Sequence, residues 1–213
     1  MSRPRILLAD DHRMVAEGLK SLLAAEFELI GVVEDGRALL EAAQRLQPDV
    51  IVTDLTMPNL NGIEALGRLR KEHPFIRVVV LTMHRDVAYA RRALALGASG
   101  YVLKHDAPGE LVRAIRTALA GRTFVTPELE SELLQASGRD PGRTADPVAQ
   151  LSPRQREVLQ LLAEGKTARE IGELLGISAR TVETHKYELM TTAGIKTSAE
   201  LVHFAIRHGI VEI

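Results

Sequence analysis

Short apolar runs alternate with longer amphipathic stretches along the first half of the chain. The apolar runs lie near residues 4–9, 28–33, 49–53, 76–81 and 100–103. Helical spacing of apolar residues is seen near 12–25, 36–46, 62–72, 86–96 and 107–120. A strand buried on both faces is apolar throughout, and strands that alternate with helices are typical of parallel sheets. The first half is therefore predicted to be an α/β domain with a doubly wound parallel sheet of five strands.

The pattern changes after Gly121. Residues 127–136 have the spacing of a short helix, and residues 137–147 are rich in Gly, Pro and charge, which is typical of a linker. Sequences that cap and open helices begin at Ser152, Thr167 and Thr197, and a fourth helix follows Ser178. The predicted segments are an α/β domain at 1–122, a linker with a short helix at 123–149 and a small all-α four-helix domain at 150–213.

Polar residues suited to chemistry follow the predicted strands. They are Asp10 and Asp11 after the first strand, Asp54 after the third, Thr82 after the fourth and Lys104 after the fifth. The carboxyl ends of parallel strands share one edge, so these side chains should converge. Clustered carboxylates repel one another unless a cation joins them, and such an oxygen-rich site suits Mg²⁺. Asp54 could then attack phosphorus as a nucleophile, while Lys104 and Thr82 stabilise the oxygens of the transferring group.

Each of these residues also has an ordinary structural interpretation. Asp10 could cap the helix near His12, Lys104 could be a solvated surface amine, and Thr82 could be a strand residue. Tyr101, in the fifth strand, would usually belong to the core. The joint placement of the polar residues at strand ends favours the phosphoryl-transfer site.

Residues 4–120 resemble a response-regulator receiver domain. The resemblance is carried by Asp10-Asp11, Asp54, Met57-Pro58, Asn61-Gly62, Leu81-Thr82, Gly97-Ala98, Gly100-Tyr101 and Leu103-Lys104. It implies a flavodoxin-like fold in which Asp54 accepts a phosphoryl group from a phosphohistidine of a sensor histidine kinase. It also implies that Mg²⁺ is held by Asp10, Asp11, Asp54 and the backbone carbonyl of Thr56.

The same resemblance implies a switch made of Thr82 and Tyr101. The Thr82 hydroxyl would move toward the phosphoryl group, and Tyr101 would swing inward behind it, which would reshape the face around residues 83–105. Thr56 and His84 lie near the site by position and are either determinants of the phosphate's lifetime or solvated surface residues. The only expected catalysis is phosphorylation and dephosphorylation of the chain itself.

A helix-turn-helix is predicted in the second domain, because only Leu175-Gly176-Ile177 separates two capped helices. The residues expected to meet bases or phosphates are Arg180, Thr181, Glu183, Thr184, His185, Lys186 and Tyr187. Residues 151–211 resemble the effector domain of the NarL/FixJ/LuxR regulators. This is carried by 151–159, 163–165, Ile171-Gly172, 175–178, 181–185 and Gly194-Ile195. The whole chain therefore resembles a two-component response regulator of that subfamily.

Charge modifies this picture of DNA binding. From Leu151 onward, the chain has eight Lys and Arg residues and eight Asp and Glu residues. The domain therefore lacks the net positive charge that supplies non-specific affinity for DNA. We expect weak binding by one copy and a homodimer upon phosphorylation, paired through Asp86–Leu96 or Leu111–Ala120. The chain has no cysteine and no long apolar run, so we expect neither disulfides nor membrane spans. We expect a cytoplasmic location.

The leading hypothesis is a phosphorylation-controlled, DNA-binding transcription regulator. One alternative is a receiver that acts mainly as a phosphoryl sink or protein-docking module and binds DNA weakly, since Glu183 and Glu188 make the recognition helix acidic. A second is a small Mg²⁺-dependent phosphohydrolase, against which stands the absence of a lid or substrate-binding insertion between the strands. A third is that the four helices form only an interaction module.

Overall fold

A computed structural model describes residues 3–137 and 147–211. The chain divides into two compact units, Met1–Arg139 and Asp140–Ile213, which are described separately. Most of the linker expected at 137–147 lies outside the described residues, so the domain boundaries stay a prediction. In the described part of the chain, no helix is both long enough and apolar enough to cross a membrane.

Within its described residues, unit 1 contains one parallel sheet. Its strands are β1 (Arg5–Ala9), β2 (Glu28–Val33), β3 (Val50–Asp54), β4 (Arg77–Thr82), β5 (Gly100–Leu103) and β6 (Phe124–Val125), in the order β2-β1-β3-β4-β5-β6. Strand β3 is buried along its whole length, which explains the apolar run of residues 50–52 before Thr53 and Asp54. The order changes direction between β1 and β3, and ligands of such sheets bind at that point, beyond the carboxyl ends of the strands.

Helices cover both faces of this sheet. They are α1 (Arg13–Ala24), α2 (Gly36–Leu46), α3 (Gly62–Glu72), α4 (Val87–Ala95), α5 (Ala107–Leu119) and α6 (Pro127–Ser137). One core cluster includes Leu39 of α2, Leu66 of α3 and Ala90 of α4, and the other includes Leu19 of α1 and Leu111 of α5. The prediction of a doubly wound α/β fold is confirmed.

The number of strands was predicted wrongly. Phe124 and Val125 were assigned to the linker, but they form β6, which pairs in parallel with Gly100 and Tyr101 of β5. A strand of two residues is too short to show a periodic pattern. Its pairing with the edge of β5 could therefore not be predicted from the sequence. The start of the expected linker is therefore part of the sheet.

Unit 2 contains the four predicted helices within its described residues. They are α7 (Pro153–Ala163), α8 (Ala168–Leu175), α9 (Ala179–Ala193) and α10 (Ser198–Arg207). The capping boxes at Ser152 and Thr167 are complete. The box expected at Thr197 is not, because the Glu200 carboxylate accepts from the Lys196 N–H at 2.7 Å instead.

The turn between α8 and α9 depends on two glycines. Gly176 ends α8 with φ +65°, a left-handed conformation that favours glycine. Gly172 lies against the turn, since a Cβ there would be 2.7 Å from the Ile177 carbonyl oxygen. The Arg154 guanidinium donates to the Leu175 carbonyl at 2.7 Å and thereby joins α7 to the end of α8. These contacts keep the turn between α8 and α9 tight.

Candidate functional site

Asp10, Asp54 and Lys104 meet at the carboxyl edge of the sheet. The Lys104 Nζ lies 2.5 Å from Asp54 Oδ2 and 2.9 Å from Asp10 Oδ2. The other carboxylate oxygen of Asp54, Oδ1, accepts from the Leu55 N–H at 2.6 Å. Only 4% of Asp54 and 1% of Asp10 is exposed. The site thus presents a buried carboxylate with one oxygen held by the backbone and the other facing a cation.

His12 joins this cluster, although the sequence pattern suggested no role for it beyond the start of a helix. Its Nδ1 lies 3.0 Å from Asp11 Oδ1, 3.2 Å from Asp10 Oδ1 and 3.8 Å from Asp54 Oδ2. Asp11 lies at the rim, with a third of its side chain exposed. The position of His12 directly after the acid pair was the signal that could have identified it.

The donor set fits a hard divalent cation. Asp10, Asp11, His12 and Asp54 each place a ligand atom within 4.8 Å of the others. Asp10 Oδ2 is buried and makes no hydrogen bond of good geometry, although Lys104 lies close to it. An unsatisfied buried carboxylate oxygen is costly unless a cation compensates it. Thr56 belongs to the same turn, because its N–H lies 3.4 Å from Asp54 Oδ1.

Burial sets the protonation of the site. It raises the pKa of Asp54 to about 6, and Asp10 adds to this rise, while Lys104 opposes it. Burial lowers the pKa of Lys104, but the Asp54 and Asp10 carboxylates outweigh it, so that the pKa lies above its usual value. Asp54 is therefore mostly ionised at neutral pH and Lys104 is charged.

The raised pKa predicts a pH-dependent cost of ionising Asp54. An acid whose pKa is about 6 when folded and 3.8 when unfolded binds more protons in the folded state. Its stabilising contribution is complete below 3.8 and is lost as the pH rises through about 6. Without divalent cations, Asp54→Asn should be more stable than wild type by about 3 kcal/mol near neutral pH, and by much less near the unfolded pKa.

Urea denaturation of the full chain in chelator, at about pH 4.5 and about pH 7.5, checks this expectation. A stability difference that does not change with pH would contradict it.

The two expected switch residues meet at His84. The Thr82 hydroxyl oxygen accepts from the His84 N–H, and the Tyr101 hydroxyl donates to the His84 carbonyl, both at 3.1 Å. The His84 Nε2 lies 3.0 Å from the Thr56 hydroxyl. Among the described contacts, the Thr82 hydroxyl is bonded to this loop and not to Asp54. His84 thereby links the turn after Asp54 with both switch residues, and Thr56 is buried rather than solvated.

The Tyr101 side chain lies inside the fold, where it is fully buried. Its movement upon phosphorylation stays a prediction. Its ring belongs to the core cluster that includes Ala90, and burial raises the pKa of its hydroxyl. The ring and the hydroxyl of Tyr101 therefore both have partners inside the fold.

Helix α9 presents one polar face to solvent. Val182 and Leu189 are buried, while Arg180, Glu183 and Tyr187 are exposed, with Tyr187 at 74%. Each exposed residue lies three or four positions from the next, so they form a single stripe. This stripe is the surface that a major groove could receive.

The other predicted α9 residues are more constrained. The Thr181 hydroxyl lies 2.8 Å from that of Ser178 at the helix cap, and the Thr184 hydroxyl donates to the Arg180 carbonyl at 3.1 Å. His185 is partly buried, and its Nδ1 lies 3.7 Å from a Glu188 carboxylate oxygen. Lys186 lies 4.0 Å from Glu183. The most exposed aromatic side chain of α9 is that of Tyr187 in the stripe.

Two known protein families match this chain, one in each unit. Residues 6–116 match the response regulator receiver domain family, and residues 149–205 match the luxR family of bacterial regulatory proteins. The transcriptional regulatory protein MctR of Rhizobium johnstonii is 37% identical over 97% of this chain and 95% of its own length. The oxygen regulatory protein NreC of Staphylococcus aureus is 35% identical over 98% of this chain and 99% of its own length.

Solved structures agree with this comparison. The RcsB response regulator of Salmonella typhimurium has a TM-score of 0.67 at 29% identity, covering 96% of this chain and 97% of its own. A complex of RcsB with DNA has a TM-score of 0.59 at 29% identity, covering 95% of this chain and 98% of that chain. The fold is thus shared along nearly the whole length.

Proposed function

The chain belongs to the response regulators that join a receiver domain to a LuxR-type DNA-binding domain, and from this premise we propose that Asp54 is its phosphoacceptor. The resemblance predicted from the sequence is confirmed. The protein is a transcription regulator rather than a classical enzyme, and its partners are a sensor kinase and DNA. The observation that carries the assignment of Asp54 is its buried carboxylate, with Oδ2 paired to Lys104 beside two further acids.

Asp54 would attack the phosphorus of a kinase phosphohistidine with one carboxylate oxygen. The new O–P bond forms as the N–P bond breaks, and the leaving imidazole takes up a proton. Asp10, Asp11, Asp54 and the Thr56 carbonyl would hold Mg²⁺, which neutralises phosphoryl oxygens when bound. Lys104 Nζ, already 2.5 Å from Asp54 Oδ2, would pair with another of these oxygens. Hydrolysis of the resulting acyl phosphate would be the only other reaction of the chain.

The switch would work by exchange of hydrogen bonds. The Thr82 hydroxyl now accepts from the His84 N–H and retains a proton to donate. Donation of this proton to the phosphoryl group would draw Thr82 toward Asp54 and disturb the loop that begins at His84. Because the Tyr101 hydroxyl holds the His84 carbonyl, the disturbance would reach β5.

The α9 stripe would read DNA in the major groove. Glu183 and Tyr187 would face base edges, and Arg180 and Lys186 would lie near phosphates. Since this unit has no net positive charge by count, two copies bound to two half-sites would supply the affinity that one lacks. We further propose a homodimer of the phosphorylated protein, residues 1–122 and 150–213 as its domains, and a cytoplasmic location.

DNA binding and sedimentation of the full chain test this proposal. In Mg²⁺, beryllofluoride mimics the phosphoryl group and should produce a dimer that binds duplex DNA at least about tenfold more tightly. Asp54→Asn, with the same reagents, is the control and should show no response. If beryllofluoride changes neither the dimerisation nor the DNA affinity of the wild type, phosphorylation control is contradicted.

A receiver that serves mainly as a docking module or phosphoryl sink is favoured by one observation. Glu183 and Glu188 are exposed on the recognition helix and would repel phosphates. This second candidate predicts that DNA binding stays weak and does not increase with beryllofluoride, although Asp54 is phosphorylated. Duplex binding that becomes about tenfold tighter with beryllofluoride would exclude it.

Tyr187→Ala should change sequence preference more than overall affinity. The side chain is the most exposed aromatic group of α9, and aromatic or apolar contact with a base edge is local to one position of the site. Loss of such a contact costs about 1–3 kcal/mol at that base pair. Selection of binding sites from a random duplex library, with Tyr187→Phe as the matched control, measures the effect. An unchanged preference in Tyr187→Ala would remove Tyr187 from base readout.

A further inference from the structure

The segment 124–134 lies on the β5 edge of unit 1 instead of leading away as a linker. The Thr126 N–H donates to the Tyr101 carbonyl at 3.0 Å, and the Thr126 hydroxyl accepts from the Leu103 N–H at 3.1 Å. Thr126 is fully buried, and α6 begins directly after it. The segment is thus joined by backbone and side chain to the strand that carries Tyr101 and ends before Lys104.

An apolar contact continues the attachment along α6. Leu129 is only 1% exposed and belongs to the same core cluster as Ala90, Ala93 and Tyr101. Leu133, one turn further on, packs against the same cluster. Part of α4, for which the sequence predicts a dimer surface, is therefore covered by the chain's own helix.

One carboxylate on α6 contacts the two loops that adjoin the site. Glu128 pairs with Arg85, and its Oε2 lies 3.4 Å from His105 Nε2. Arg85 follows His84, which holds both switch residues, and His105 follows Lys104, which pairs with Asp54. Movement of either loop would therefore change the contacts of Glu128.

We propose that the α4–β5 face of the receiver is a docking surface for the chain's own segment 124–134, and that phosphorylation of Asp54 loosens this segment. The proposal rests on the function proposed above. Thr82 and Lys104 would contact the phosphoryl group. Thr82 lies three residues before Arg85, and Lys104 directly precedes His105. Arg85 and His105 are the two partners of Glu128. Exposed ion pairs are weak, so Glu128 would bias the position of α6, while Thr126 and Leu129 supply the attachment. Released α6 would uncover α4.

Hydrogen exchange of the full chain tests this proposal. Amides of 127–137 should be protected in Mg²⁺ alone and exchange about tenfold faster with beryllofluoride. Glu128→Gln should raise their exchange about two- to fivefold without beryllofluoride, since it removes the two ion-pair contacts. Glu130→Gln, the same change at an exposed site on the same helix, is the control. Arg85→Gln combined with Glu128→Gln should show no further increase.

The outcomes separate this proposal from the function on which it rests. Equal protection of 127–137 with and without beryllofluoride, together with a beryllofluoride response at 83–86, would leave the phosphoacceptor in place and overturn the loosening of α6. No response at 83–86 would contradict Asp54 as the acceptor and would overturn the loosening with it. Exchange in Glu128→Gln equal to that in Glu130→Gln would overturn the part assigned to Glu128.

Discussion

Asp54→Asn should abolish formation of an acyl phosphate on this protein. Asn has nearly the same shape, but its amide is not a nucleophile, so the buried position between Leu55 and Lys104 would be kept while the chemistry is lost. Asp10 also contacts Lys104, and Asp11 lies at the rim. Asp10 nevertheless has a similar arrangement, since the His12 N–H donates to its Oδ1 at 2.9 Å and Lys104 lies 2.9 Å from its Oδ2, so Asp10 must be tested beside Asp54.

Labelling with acetyl phosphate in Mg²⁺, followed by intact mass and hydroxylamine cleavage, measures this loss. The wild type should gain one phosphoryl group that hydroxylamine removes. Asp10→Asn serves as the comparison, because it retains the nucleophile and should require more Mg²⁺ rather than fail completely. A hydroxylamine-sensitive phosphate in Asp54→Asn would show that another carboxylate is the acceptor.

Lys104→Met should have two opposite effects on the site. Phosphorylation should slow on the order of 10²-fold, because the ammonium that would neutralise the phosphoryl oxygens is gone. Its loss also removes the charge that lowers the pKa of Asp54, so less of this carboxylate would be ionised at neutral pH. Mg²⁺ should nevertheless bind about tenfold more tightly, since the cation that now lies beside Asp10 and Asp54 no longer competes.

Calorimetric Mg²⁺ titration and the rate of acetyl phosphate labelling measure the two effects on the same sample. Tighter Mg²⁺ binding would show that the variant is folded, so that slower labelling reports chemistry rather than damage. Arg113→Met, which removes a cation on the exposed side of α5, is a suitable control. Weaker Mg²⁺ binding in a folded Lys104→Met would mean that Lys104 organises the carboxylates instead of competing for them.

Several features of this protein were determined by the sequence alone. Uninterrupted apolar runs identify buried parallel strands, and parallel strands bring Asp10, Asp54 and Lys104 to one edge whatever the details of packing. The caps at Ser152, Thr167 and Ser178 are local, since each depends on residues within one turn. Fold class, family and the members of the acidic cluster could therefore be predicted.

Other features were decided by contacts between residues distant in sequence. Strand β6 is too short to have a pattern and exists because the edge of β5 accepts it. The inward position of Tyr101, the meeting of Thr82 and Tyr101 at His84, and the bridge from Glu128 to Arg85 depend on how loops and helices pack. Periodicity reports which face of an element is buried, but not which partner lies against it. The site could thus be predicted from the sequence, whereas its connection to α6 required the tertiary structure.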